Sequence, residues 1–141
     1  MNNYSFAEIE IGMEQEFQVE ITREMMTQFK QITGDVNPLH TEEAFAKEKG
    51  YTSCVAYGML TASFLSTLAG VYMPGRRSLI HSVETKFVKP VFPGDILTVH
   101  GKVTDKNELF SVITLKVTLT NQNREKVLRG TMQIGVLADG E

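Results

Sequence analysis

The sequence predicts an α+β domain in which one long, buried helix is enclosed by an antiparallel sheet. Two observations carry this. Residues Tyr57 to Tyr72 spread Met59, Leu60, Phe64, Leu65 and Leu68 around most of a helical circumference, with Ala62, Ser63, Ser66, Ala69 and Gly70 between them. A helix that is apolar nearly all round lies inside a fold rather than on its surface. After Pro74-Gly75 the chain turns to alternating apolar and polar residues separated by turn signals, the pattern of half-buried strands. A strand, short helices, one buried helix and then a meander is an α+β order.

Taken in order, Phe6 to Gly12 reads as a strand or extended lead-in, and Glu16 to Ile21 as a strand with Phe17, Val19 and Ile21 on one face. Thr22 is the expected cap of a first helix running to about Thr33, with Met25, Met26, Phe29 and Ile32 at helical spacing. Gly34 suits the left-handed stop after it. Thr41 is the expected cap of a second helix, with Glu42 and Glu43 in its first turn and Gly50 at its end. The long helix follows, and Pro74-Gly75 ends it. Strands are expected over Ile80–Val88, Ile96–Thr104, Leu109–Thr120 and Lys126–Leu137. The turns between them are Pro90–Asp95, Asp105–Glu108 and Asn121–Glu125.

The chain has 141 residues, 42% hydrophobic and 22% charged, which fits a single soluble domain over residues 1–141 with a proper core. A net charge of -3 argues against a nucleic-acid partner. The longest apolar stretch is too interrupted by Gly, Ser and Thr for a membrane span. One cysteine, Cys54, excludes an internal disulfide and a cysteine-based zinc site, and with the polar N-terminus gives a cytoplasmic expectation.

Chemistry concentrates in Thr33-Gly34-Asp35-Val36-Asn37-Pro38-Leu39-His40, where a carboxylate, a carboxamide and an imidazole share a short connection between two helices. Such residues are also ordinary turn formers. A connection held at both ends, however, can fix Asp35 and His40 in one geometry for acid–base work. Metal binding by Asp35, Asn37 and His40 is disfavoured, because one His with hard oxygen ligands is a poor zinc set. Val55-Ala56-Tyr57-Gly58-Met59 opens the buried helix. Its first amides lack intrahelical partners and Gly58 lets a ligand approach, which suits a developing oxyanion. Ser66, eight positions on, returns near the same face and can reach a carboxylate or bond back to its own helix. His81 and His100 read as strand residues, and Cys54 as an inert small hydrophobe.

The loop Gly34-Asp35-Val36-Asn37-Pro38-Leu39-His40, followed by Tyr57-Gly58-Met59-Leu60 and Pro90-Val91-Phe92-Pro93-Gly94-Asp95, resembles the MaoC-like (R)-specific enoyl-CoA hydratases, from about Ile11 to the end. The resemblance implies a hotdog fold, a long central helix wrapped by a curved antiparallel sheet. It implies Asp35 and His40 as the catalytic dyad that adds water to a trans-2-enoyl thioester or removes it from an (R)-3-hydroxyacyl thioester. It further implies the Gly58 N–H as holder of the thioester oxygen, Asn37 as orienting loop or substrate, and Ser66 as supporting the site. It implies no metal and no cofactor, an acyl-CoA substrate with acyl carrier protein as the other possible carrier, and a homodimer or dimer-based oligomer. Tyr57 departs from the His frequent in the family. Arg76, Arg77, Lys86 and Lys89 could meet the coenzyme A phosphates, and solvated surface charge is the favoured reading for any one of them. An acyl-CoA thioesterase on the same fold and a non-catalytic acyl-CoA-binding module are the alternatives, because fold does not fix function.

Overall fold

The computed structural model describes residues 1–139. One antiparallel sheet carries β1 (Glu14–Glu20), β2 (Ser78–Phe87), β3 (Ile96–Asn107), β4 (Val112–Thr120) and β5 (Lys126–Val136), in the spatial order β1-β3-β4-β5-β2. Helices α1 (Arg23–Thr33), α2 (Pro38–Thr41), α3 (Glu43–Glu48) and α4 (Gly58–Thr67) lie between β1 and β2 in the chain. The α4 helix packs against the sheet through the shared core, the hotdog arrangement.

The alternating strands explain the core. Leu97, Val99 and Val103 of β3 and Ile113, Leu115, Val117 and Leu119 of β4 are fully buried, while their sequence neighbours face outwards. Leu60, Leu65 and Leu68 meet them from the helix side. Each fully buried side chain of this kind contributes about 1.5–3 kcal/mol. Gly101 of β3 allows the close approach, since a Cβ there would lie 2.9 Å from the Leu68 side chain.

The structure departs from the sequence reading at several places. The lead-in is a short 3₁₀ turn, Phe6–Glu8, because Ser5 and Glu8 form a reciprocal capping box. The long helix is α-helical only to Thr67; Leu68–Tyr72 form a wider π turn that the Met73 N–H closes onto the Leu68 carbonyl at 2.8 Å. Pro74 has no N–H with which to continue the α pattern. Met59 is 65% exposed rather than buried, and with Ser63 and Ser66 it forms an uncovered stripe on α4. Strand β3 continues to Asn107 past a bulge between Val103 and Asp105, so the hairpin turn falls later and β4 begins at Val112. The Asn107 Oδ1 accepts from the Phe110 N–H in that turn.

Helix capping at the loop also differs. Asn37, not Thr41, caps the next helix: its Oδ1 accepts from the Leu39 N–H at 3.0 Å and Pro38 occupies the first helical position. Thr41 lies inside this single turn and its hydroxyl donates to the Asn37 carbonyl at 3.2 Å. Glu42 precedes α3 without a side-chain cap.

Candidate active site

Helix α1 delivers the loop. The Thr22 hydroxyl accepts from the Met25 N–H at its start, and Gly34, at φ 73°, ends it in the left-handed conformation expected there. Beyond Gly34 the chain folds on itself. The Thr33 hydroxyl accepts from the Asp35 N–H at 3.2 Å, and Asp35 Oδ1 accepts from the Asn37 N–H at 3.0 Å. One carboxylate oxygen of Asp35 is thus held by its own loop, and the other accepts no hydrogen bond among the described residues. Asn37 acts as a loop former, capping α2 while its carbonyl accepts from the His40 N–H at 3.0 Å.

The His40 ring is set by the segment that leads into α4. Its Nδ1 lies 2.7 Å from the Val55 carbonyl oxygen. A carbonyl only accepts, so Nδ1 carries the proton and a neutral His40 presents Nε2 as the basic nitrogen. The Val55 N–H in turn donates to the Leu39 carbonyl at 3.1 Å. The Tyr57 ring, 2% exposed, packs 4.3 Å from the His40 ring centroid and 4.9 Å from that of Phe29. Its hydroxyl donates to the Asp35 carbonyl at 2.5 Å.

Gly58 is the first residue of α4, and its N–H has no hydrogen-bond partner among the described residues. It opens into a cavity of about 290 Å³ lined also by His40, Thr61, Phe87, Val88 and Lys89. The Phe87 ring covers one side of Gly58, 3.0 Å from where a Cβ would stand. His40 also borders a second cavity of about 280 Å³, with Arg23, Met26, Lys30, Glu43, Cys54 and Tyr57 on its walls. Arg23 and Glu43 pair there at 3.1 Å, which holds the Glu43 carboxyl below its ordinary range.

The chain therefore brings His40 and Gly58 to one cavity, with Asp35 tied to the same unit through Tyr57. Asp35 is exposed and lines neither cavity. Ser66 is exposed, and its hydroxyl makes no hydrogen bond among the described residues. Of the four cations named from the sequence, Lys89 borders the cavity, ion-paired with Glu125. Arg77 is engaged elsewhere, by Asn3 at 2.9 Å. His100 bonds Glu14 across β1 and β3 at 3.0 Å, and His81 is exposed on β2. Sequence reasoning missed Tyr57 as a loop anchor and Phe87 as a cavity wall. Both contacts are long-range, and only the aromatic character of position 57 hinted at one.

Cys54 is buried, and burial, reinforced by the Glu43 carboxylate, pushes its thiol pKa up. At neutral pH it is expected to resist a chromogenic thiol reagent in the folded protein and to react fully once denatured. Rapid labelling of the native protein would contradict this environment. Among the described residues no group of three or more His, Cys, Asp or Glu is placed to hold a metal, and no helix is long and apolar enough to cross a membrane.

Comparison with known proteins gives the family. The chain is 30% identical over 138 residues to the 3-hydroxybutyryl-CoA dehydratase of Methylorubrum extorquens, spanning 96% of this chain and 80% of that protein. It is 30% identical over 122 residues to the (R)-specific enoyl-CoA hydratase of Aeromonas caviae, spanning 86% and 91%. Among solved structures, the unliganded R-hydratase PhaJ1 of Pseudomonas aeruginosa superposes with a TM-score of 0.91 at 26% identity, over 97% of this chain and 88% of that one. A family model described as MaoC like domain matches residues 5–125. With this match over most of its length and relatives aligned nearly end to end, the chain belongs to the MaoC-like domain family.

Proposed function

We propose that the protein is a hydro-lyase that hydrates trans-2-enoyl-CoA to (R)-3-hydroxyacyl-CoA, or runs the reverse dehydration, with Asp35 and His40 as its acid–base pair. The observation that carries this is the loop unit itself, which sets the His40 tautomer and brings His40 and the unpaired Gly58 amide to one cavity. The relatives named as hydratases and dehydratases support the reaction class.

The proposed chemistry uses these groups. The thioester oxygen accepts from the Gly58 N–H, where the helix dipole favours negative charge. Asp35 and His40 hold a water between them, and its oxygen bonds C3 while the C2–C3 π electrons move towards the thioester carbonyl. One proton of that water passes to the pair. A proton from the pair then reaches C2 as the enolate collapses, so the sum is one water added. Incubating the product with dehydrogenases specific for (R)- or (S)-3-hydroxyacyl-CoA tests the stereochemistry. Oxidation by the (R)-specific enzyme is expected, and oxidation by the (S)-specific enzyme alone would overturn the assignment. A thioesterase would instead release free thiol.

The assembly proposed is a homodimer. Of the two edge strands, β1 alternates half-buried residues with exposed Glu14, Glu16, Gln18 and Glu20, a guarded edge. Strand β2 pairs only with β5 and leaves Leu79, Ile80, Val83 and Phe87 37–53% exposed. An apolar, unpaired edge beside the open Met59-Ser63-Ser66 stripe suits a second copy of the chain. Support of the site by Ser66 would then depend on that copy. Sedimentation should give a dimer for the native protein and a shift towards monomer for Val83→Lys, whereas a native monomer at micromolar concentration would contradict the proposal. A cytoplasmic setting belongs to this reading and rests on the one buried, unpaired thiol.

A further inference from the structure

We infer that Tyr57 is a positioning residue for the reaction: its phenol fixes the Asp35 end of the loop, and through it the relation of Asp35 to His40. The inference rests on the reading of those two residues as the acid–base pair. The loop is tied to the lead-in of α4 by three long-range hydrogen bonds, Val55 N–H to Leu39 carbonyl, His40 Nδ1–H to Val55 carbonyl, and Tyr57 hydroxyl to Asp35 carbonyl. Two of them secure the His40 end. Only the phenol reaches the Asp35 end, where packing offers little: Asp35 is exposed and Val36 is 70% exposed.

The other Asp35 contacts are local. The Thr33 hydroxyl and the Asn37 N–H shape the turn, but both partners lie within two residues of Asp35 and neither ties it to α4. Without the phenol the loop keeps these local bonds, the Thr33 one reaching back across Gly34 to the end of α1, and loses its tie from Asp35 to the lead-in of α4. The Tyr57 ring is a fixed support. It is buried between Phe29 and His40, and its own carbonyl accepts the Thr61 N–H at 3.1 Å in the first turn of α4. One residue thereby links the oxyanion amide at position 58, the face of the His40 ring and the backbone of Asp35. Burial, with Asp35 nearby, raises the phenol pKa above its ordinary value of about 10, so the hydroxyl remains a donor throughout the neutral range. A histidine at this position would have a shorter ring and a proton that titrates near neutrality.

Tyr57→Phe keeps the ring and removes only the donor. Its kcat is expected to fall about 10- to 10²-fold, the scale of a small misplacement of a catalytic group, with KM little changed. The loss should be equal from about pH 6 to 9, since the phenol does not titrate there. Amide hydrogen exchange should quicken in the segment 34–37 and stay unchanged in α4. In an Asp35→Asn background the same change should add little, because Tyr57 acts through Asp35. A fully active Tyr57→Phe beside an inactive Asp35→Asn would overturn the positioning role alone. So would an unchanged exchange pattern, or an additive loss in the double variant. A fully active Asp35→Asn would remove the dyad reading on which the inference stands.

Discussion

Replacing Asp35 by asparagine, or His40 by alanine, is expected to lower kcat for enoyl thioester hydration by about 10²- to 10⁴-fold, the contribution of a positioned acid–base group. The fold should survive both changes. In Asp35→Asn the side-chain oxygen still accepts the Asn37 N–H, and the residue is exposed, so only proton transfer is lost. His40→Ala also removes the bond to the Val55 carbonyl, a loss of about 0.5–1.5 kcal/mol in stability. A thermal melt beside the rate measurement separates the two effects. Near-normal turnover in either folded variant would assign the chemistry to other groups.

The second large effect is expected at Gly58. Proline removes the N–H, yet the first position of a helix tolerates it, and Tyr57 before it already has the extended backbone (φ -57°, ψ 123°) that a following proline requires. Gly58→Pro should therefore cost about 10²- to 10³-fold in kcat, the value of one oxyanion donor, while the helix still forms. Gly58→Ala retains the N–H and adds only a Cβ 3.0 Å from the Phe87 ring. That contact is with a side chain, which need shift only slightly to relieve it, so the alanine variant should lose much less. Equal losses in the two variants would show that space at Gly58, rather than the amide, carries the effect.

What the sequence made legible was mostly local. The Thr22 cap, the left-handed Gly34 and the alternation in β3 and β4 each follow from residues within a few positions, and the structure has them as expected. Thr41 was the expected cap, whereas Asn37 takes that role because Pro38 suits the first helical position that follows it. The β3–β4 turn was placed too early because a bulge leaves no clear mark in an alternating pattern. Met59 and Ser66 read as interior because they sit in an apolar helix, yet the sheet of one chain covers only part of that helix. At the site, Asp35, His40 and Gly58 were visible as residue types on a turn and a helix start. The Tyr57–Asp35 bond joins residues 22 positions apart and depends on how α1 and α4 come together, which no local pattern records.

The most direct measurement is the fate of crotonyl-CoA mixed with the purified protein, following the enoyl thioester absorbance and free thiol together. Rapid loss of absorbance without thiol release, abolished in Asp35→Asn, is the expected result. Thiol release in step with that loss would make the protein a thioesterase. Saturable binding of crotonyl-CoA and of longer trans-2-enoyl-CoA with no turnover would make it a binding module. Either outcome would contradict the hydratase account.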